Sequence, residues 1–211
     1  MKISAKHDKG VNLLLLSAVE SCDTDSWPLT PQLQFRHYRS TLDPEYGAIA
    51  AAILFARHCG SVVEFDGARI SMDAARAIRR MLPEVGELLP INGMKRDISQ
   101  GVATLIVGEA RELFAAGGRA GRIGGPARAI TWSGDFVAPS ERSSARYVGG
   151  DIFTNATLTA SSAEISVALA LLVGGRCVRD IYVPRPRQSE LEDFRRIGAG
   201  LEFVGIKLRA L

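Results

Sequence analysis

The sequence predicts an α/β fold made of two tandem copies of one unit, and three observations predict it. Residues 161–206 read as helix, strand, helix, strand with little chain lost between elements. A degraded version of that order recurs at residues 43–91. The two stretches also keep register: Gly60 lies as far from Gly175 as Arg79 lies from Arg195, to within one residue. Constant spacing between like elements marks a repeated unit.

In the downstream copy, Ser161 followed by Glu164 is a capping box, with each side chain satisfying a backbone N–H of the other. From Ile165 to Val173 every position is apolar except the small Ser166, so this helix has no face for water and must be buried. Gly174 and Gly175 end it. Residues 177–183 read as a strand that Pro184 and Pro186 stop. Ser189 and Glu192 make a second capping box, Leu191, Phe194 and Ile197 form the stripe of a second helix, and the glycines at 198 and 200 are expected to turn the chain into a last strand, 201–208.

Taken from the start, residues 11–19 are a nearly continuous apolar run and read as a buried strand, and 21–31 as a loop. Residues 32–39 look like an exposed or edge strand with Leu33 and Phe35 on one face. Asp43 caps the next helix and Pro44 takes its first turn. That helix is apolar over 48–60 and is closed by a Gly; a strand at 61–65 follows. Ser71 caps a helix with Ala74, Ala75, Ile78, Met81 and Leu82 on one face, and residues 87–91 are strand-like. Asn92 and Gly93 form a turn, 102–108 is a buried strand leading into a helix at 109–116, and strand resumes at 127–132. Five glycines and a proline within residues 117–126 mark a linker between the copies, which divides the chain into residues 1–116 and 127–211.

The bulk numbers suit a globular chain. Its 211 residues are 46 % hydrophobic and 23 % charged, and a net charge of +3 permits an anionic ligand but falls short of a nucleic-acid-binding signature. Cys22, Cys59 and Cys177 lack metal-ligand spacing, and Cys59 and Cys177 read as small buried hydrophobes. No secretory signal is evident and the apolar helix at 165–173 is too short to span a bilayer, so a soluble, cytoplasmic protein with no membrane partner is expected.

The pattern ALLVGG, then IYVPRPR, then L-x-x-F-R-R and I-G-A-G-L-E-F within residues 161–206 resembles the repeating subdomain of the enolpyruvate transferases, the EPSP synthase-type βαβαββ unit. The related RNA 3'-terminal phosphate cyclases share that unit. The resemblance implies two βαβαββ subdomains whose sheets face outward and whose helices are buried together. It does not carry over the transferases' catalytic lysine, because that position is Ala160 in the downstream copy and Glu45 upstream.

Several basic positions are candidates for an anion. Arg36, His37 and Arg39 interleave with Tyr38, and a histidine between two arginines is a candidate general base. Lys95 and Arg96 follow a turn, and Arg185 and Arg187 bracket Pro186, a rigid display of two guanidiniums suited to a phosphate or carboxylate. Ser161 and Ser162 read as a cap, and Arg119 and Arg122 as part of the linker. No Ser-His-Asp order, HExxH, CxxC or paired carboxylates stand out, and no metal or cofactor is expected. Three functions follow: a non-catalytic protein holding a small phosphorylated or carboxylated ligand or a partner chain; a transferase-type enzyme with its site between subdomains or chains; an RNA-end-binding relative of the cyclases. The helices without a polar face further predict self-association into a homo-oligomer.

Overall fold

The computed structural model of the chain describes residues 1–19, 25–92, 101–115, 127–134 and 152–211. These residues form a mixed α/β fold with one large, mostly parallel sheet and five α-helices. In chain order the elements are β1 (Lys2–Asp8), β2 (Leu13–Val19), β3 (Gln32–Arg36), α1 (Pro44–Leu54), β4 (Val62–Asp66), β5 (Ile70–Ser71), α2 (Met72–Met81), β6 (Glu87–Leu89) and β7 (Ile91–Asn92). There follow β8 (Ala103–Glu109), α3 (Ala110–Ala115), β9 (Ala127–Gly134), β10 (Ile152–Thr154), α4 (Ser162–Gly174), β11 (Val178–Val183), α5 (Leu191–Leu201) and β12 (Lys207–Ala210).

Ten strands run across the sheet in the order β12-β11-β8-β9-β10-β3-β2-β1-β4-β6, while β5 and β7 pair by themselves. Strands β8 to β12 are mutually parallel, as are β1, β4 and β6. The two groups meet where β3 pairs antiparallel with β10 through Arg36 and Phe35. Strands β1, β3, β4 and β6 therefore end at one edge of the sheet, here the first edge. Strands β8 to β12 end at the opposite, second edge.

Helix α1 begins with Asp43, whose Oδ1 accepts from Glu45 N at 3.0 Å, and with Pro44 in the first turn. Helix α4 begins with the expected box: Ser161 Oγ accepts from Glu164 N, and Glu164 Oε2 accepts from Ser161 N at 2.7 Å. It ends at Gly175, whose φ of 48° suits glycine. Both helices are buried almost along their whole length and pack against each other. Ser166, the one polar side chain midway along α4, is satisfied because its Oγ donates to Ser162 O (2.8 Å) and accepts from Trp132 Nε1 (2.9 Å). The apolar surfaces that predicted self-association are thus covered within one chain.

The sheet cannot be flat. Laid out at ~4.8 Å per strand, the outer strands of the ten would stand roughly 40 Å apart. Yet α2, between β4 and β6 at one end, packs against α5, between β11 and β12 at the other. The sheet therefore curls round the helices, and its strands alternate accordingly: Leu14, Leu16, Leu33, Phe35, Val63 and Phe65 face inward and are buried.

Several expectations need correction. Gly198 and Gly200 do not turn the chain; they lie inside α5. A Cβ on Gly200 would sit 2.5 Å from Met81 Cγ and 2.8 Å from Ala77 O, so this glycine is the contact point of α5 on α2. The chain instead leaves the helix through Gly205, and the last strand is Lys207–Ala210. The cap of α5 is displaced, with Glu190 Oε2 accepting from Arg187 N at 2.9 Å. Strand β3 ends at Arg36 and lies in the interior of the sheet, not at an edge. Cys59 is buried, but Cys177 is exposed. Strand β1 was not foreseen; its Lys2 and Lys6 hide the alternation. Cys22 and the proposed linker at 117–126 lie outside the described residues, and β8, which precedes that linker, pairs only with β9 and β11, which follow it.

Helix propensity alone makes Gly200→Ala stabilising by about 1 kcal/mol. The close approach of Ala77 O reverses the sign, and the substitution is expected to destabilise by about 1–3 kcal/mol in chemical denaturation.

Candidate functional site

The segment after β3 is shaped by one buried residue. His37 takes a positive φ of 64°, which redirects the chain as it leaves the strand. Tyr38 then turns fully inward; its hydroxyl donates to Leu172 O in the last turn of α4 (2.7 Å) and its N–H to Asn12 O (2.9 Å). Burial pushes the Tyr38 phenol well above its ordinary range, so it stays a donor. With Tyr38 pinned, His37 and Arg39 on either side are left at the surface.

These two residues border a cleft of about 100 Å3 at the first edge, together with Ser40 and Arg128. Arg128 shares its face of β9 with the buried Ile130 and Trp132 but lies one step beyond the core. Among the described residues Ile130, Ile152 and Val173 complete the lining, and no carboxylate takes part in it. The His37 ring rests edge-on against Phe153 at 5.2 Å. Among the described residues neither Arg39 nor Arg128 has an ion-pair or hydrogen-bond partner. The volume suits a phosphate or carboxylate group and lies below the ~300–1,000 Å3 of pockets that enclose a whole metabolite.

The other basic positions are dispersed. Arg36 points to the outer face of the sheet, its Nη2 3.4 Å from Gln34 Oε1. Lys95 and Arg96 lie outside the described residues. Arg185 and Arg187 follow β11 and stand at the second edge, a strand's length away. Arg187 has company there: Glu109, at the end of β8, is held above the ordinary glutamate range by burial and then by Glu112, while Arg111 and Arg187 pull it back down. The Ser161 and Ser162 hydroxyls are likewise engaged, Ser162 donating to Glu112 Oε2 at 2.7 Å. Arg128 was not singled out in the sequence, because its place depends on strand pairing. Its only local signal is a cation on the apolar parity at the start of a strand.

Among the described residues no group of three or more His, Cys, Asp or Glu is arranged to hold a metal, and no helix is long and apolar enough to cross a membrane. No family model, curated protein or solved structure matches the chain.

The raised Glu109 has a testable consequence. The folded state binds its proton more tightly than the unfolded state, so stability is lost as pH rises from the ordinary glutamate value through the folded one. Glu109→Gln removes that loss. It is expected to raise the melting temperature by about 1–3 °C near neutral pH and to change nothing well below the glutamate range, as followed by calorimetry at both pH values.

Proposed function

We propose that the chain is a non-catalytic, anion-binding relative of the enolpyruvate transferases and RNA 3'-phosphate cyclases, and that it holds a phosphate or carboxylate group in the first-edge cleft. The observation that carries the reading is the convergence of His37, Arg39 and Arg128 on a cleft with no carboxylate among its described lining residues. Guanidinium groups offer several N–H donors in one plane and match such oxyanions. A ligand longer than the cleft would leave its remaining part in solvent beside His37 and Phe153.

Two features support the duplication and the relationship. Outward from the central pair, the strand order β3-β2-β1-β4-β6 parallels β10-β9-β8-β11-β12, with α1 and α4, and α2 and α5, in matching gaps. The most apolar helices lie inside and the sheet outside, as the resemblance implies. The halves differ in two respects: β2 runs antiparallel to β1 and β3, whereas β9 runs parallel to β8 and β10, and the β5–β7 pair has no counterpart among the described residues of the second half. The absence of catalysis rests on Ala160, which stands where the transferases have lysine and lies before α4, at the end of that helix remote from the cleft.

The test is calorimetric titration with inorganic phosphate and a panel of phosphorylated and carboxylated metabolites, alongside thermal shift. Arg39→Ala and Arg128→Ala are each expected to weaken binding about 10- to 100-fold, the loss of one charge-assisted contact. Both side chains are exposed, so the melting temperature of the free protein should stay within about 2 °C. Binding that persists unchanged in the Arg39→Ala, Arg128→Ala double variant would refute the site.

A further inference from the structure

Among the described residues the two flanking strands of the large sheet, β6 and β12, each have a neighbour on one side only. Such a strand offers its unpaired N–H and C=O groups to any extended chain that can lie beside it. In β6, Glu87 N donates to Ser61 O at 3.0 Å, which turns the backbone groups of residues 87 and 89 toward β4 and those of 88 and 90 outward. Position 90 is a proline. It has no N–H, and its carbonyl already accepts from Ile70 N at 3.3 Å, so this side of the sheet is closed. On the other side, Leu211 N donates to Val183 O at 2.9 Å. The same alternation turns the backbone of Lys207 and Arg209 toward β11 and directs the N–H and C=O of Leu208 and Ala210 outward. Among the described residues nothing pairs with those outward groups, Ala210 is exposed and no proline interrupts β12.

Charge decides what fits beside β12. Leu208 is half-buried over Gly198 of α5, so Lys207 and Arg209 stand on the face turned away from the helices, with Arg179 beside them. The carboxylate there is Asp180, which accepts from Arg179 Nε at 2.7 Å and stands 3.7 Å from Arg209 Nε. Lys207 has no ion-pair partner among the described residues. Three cations thus surround one carboxylate. Cations on a flanking strand hold off a second copy of the same strand, and they attract a strand of opposite charge. We propose that β12 is the docking strand for an extended acidic peptide of a partner protein. The peptide's backbone pairs with the outward groups of Leu208 and Ala210, its alternate carboxylates meet Lys207 and Arg209, and the apolar side chains between them cover Leu208. The assignment uses no residue of the cleft at His37 and is independent of it.

The full chain, labelled with 15N, is titrated with a short end-blocked peptide that alternates glutamate and valine, and with its lysine–valine counterpart, while amide exchange with solvent is followed by NMR. In the free protein the Leu208 and Ala210 amides should exchange quickly and the Arg209 amide slowly, since of the three only Arg209 bonds to β11. The glutamate peptide at millimolar concentration should slow Leu208 and Ala210 about tenfold and leave Arg209 as it was; the lysine peptide should slow none of them. Ala210→Pro removes an outward donor without touching the β11 ladder and should weaken the glutamate peptide about tenfold. Lys207→Glu should weaken it about three- to ten-fold. Equal protection by the two peptides, or none, overturns the assignment. So do Leu208 and Ala210 amides that are already slow in the free protein, for then this chain or a second copy covers the strand, and light scattering tells those two apart. If Ala210→Pro fails to fold, Lys207→Glu decides: unchanged affinity for the glutamate peptide refutes the proposal.

Discussion

The fold depends on two helices that cannot touch water. Between Gly47 and Leu54 in α1, and between Ile165 and Leu172 in α4, there is no side on which a polar residue other than Ser166 appears. Each buried Ile, Leu or Val is worth about 1.5–3 kcal/mol. A chain with Ile49, Ile53, Leu54, Ile165, Leu169, Leu171 and Leu172 in these positions is therefore driven to close a layer around them. The small side chains of α1, Gly47 and Ala48 to Ala52 apart from Ile49, let α4 approach closely. Curling the sheet is the only arrangement that also brings α2 and α5 together, and Gly200 marks how tightly they meet.

That closure decides where charge collects. Helix C-termini carry partial negative charge, which favours cations nearby. The first cleft touches the end of α4 at Val173. Arg176 shows the ordinary structural use of such a cation, with its Nε donating to Asp43 Oδ2 at 2.7 Å and the bond holding the end of α4 to the cap of α1. Arg39 and Arg128 differ from Arg176 in having no carboxylate partner among the described residues. A helix terminus holds only about half an elementary charge, so two guanidiniums leave positive potential over. The binding role proposed for Arg39 and Arg128 rests on this surplus.

Local chemistry was legible in the sequence and long-range placement was not. The caps at Asp43, Ser71 and Ser161 could be read because a cap needs only residues within one turn. The burial of α1 and α4 followed from composition alone. Gly198 and Gly200 were misread because a helix-stopping glycine and a helix-packing glycine look alike until the partner helix is known. Arg36 and Arg39 looked equivalent along the chain, but the alternation of β3 sends Arg36 to the outer face and the positive φ at His37 starts a new direction for Arg39. Arg185 and Arg187 are exposed, yet strand polarity puts them at the edge away from His37.

The first cleft also lies at the joint between the two groups of strands. The β3–β10 ladder has just two residue pairs, Arg36 with Phe153 and Phe35 with Thr154, and Asn155 extends it by accepting from Gln34 N (2.8 Å) and donating to Gln32 O (3.1 Å). His37, Arg39 and Ser40 reach the cleft from one side of this joint, and Arg128, Ile130, Ile152 and Val173 from the other. An anion bridging Arg39 and Arg128 would add a contact across the shortest pairing of the sheet among the described residues. Its binding energy would then oppose separation of the halves directly, since a ligand held only by the closed state stabilises that state by mass action. An arginine pair placed wholly within either half would bind the same ion without that effect on the joint.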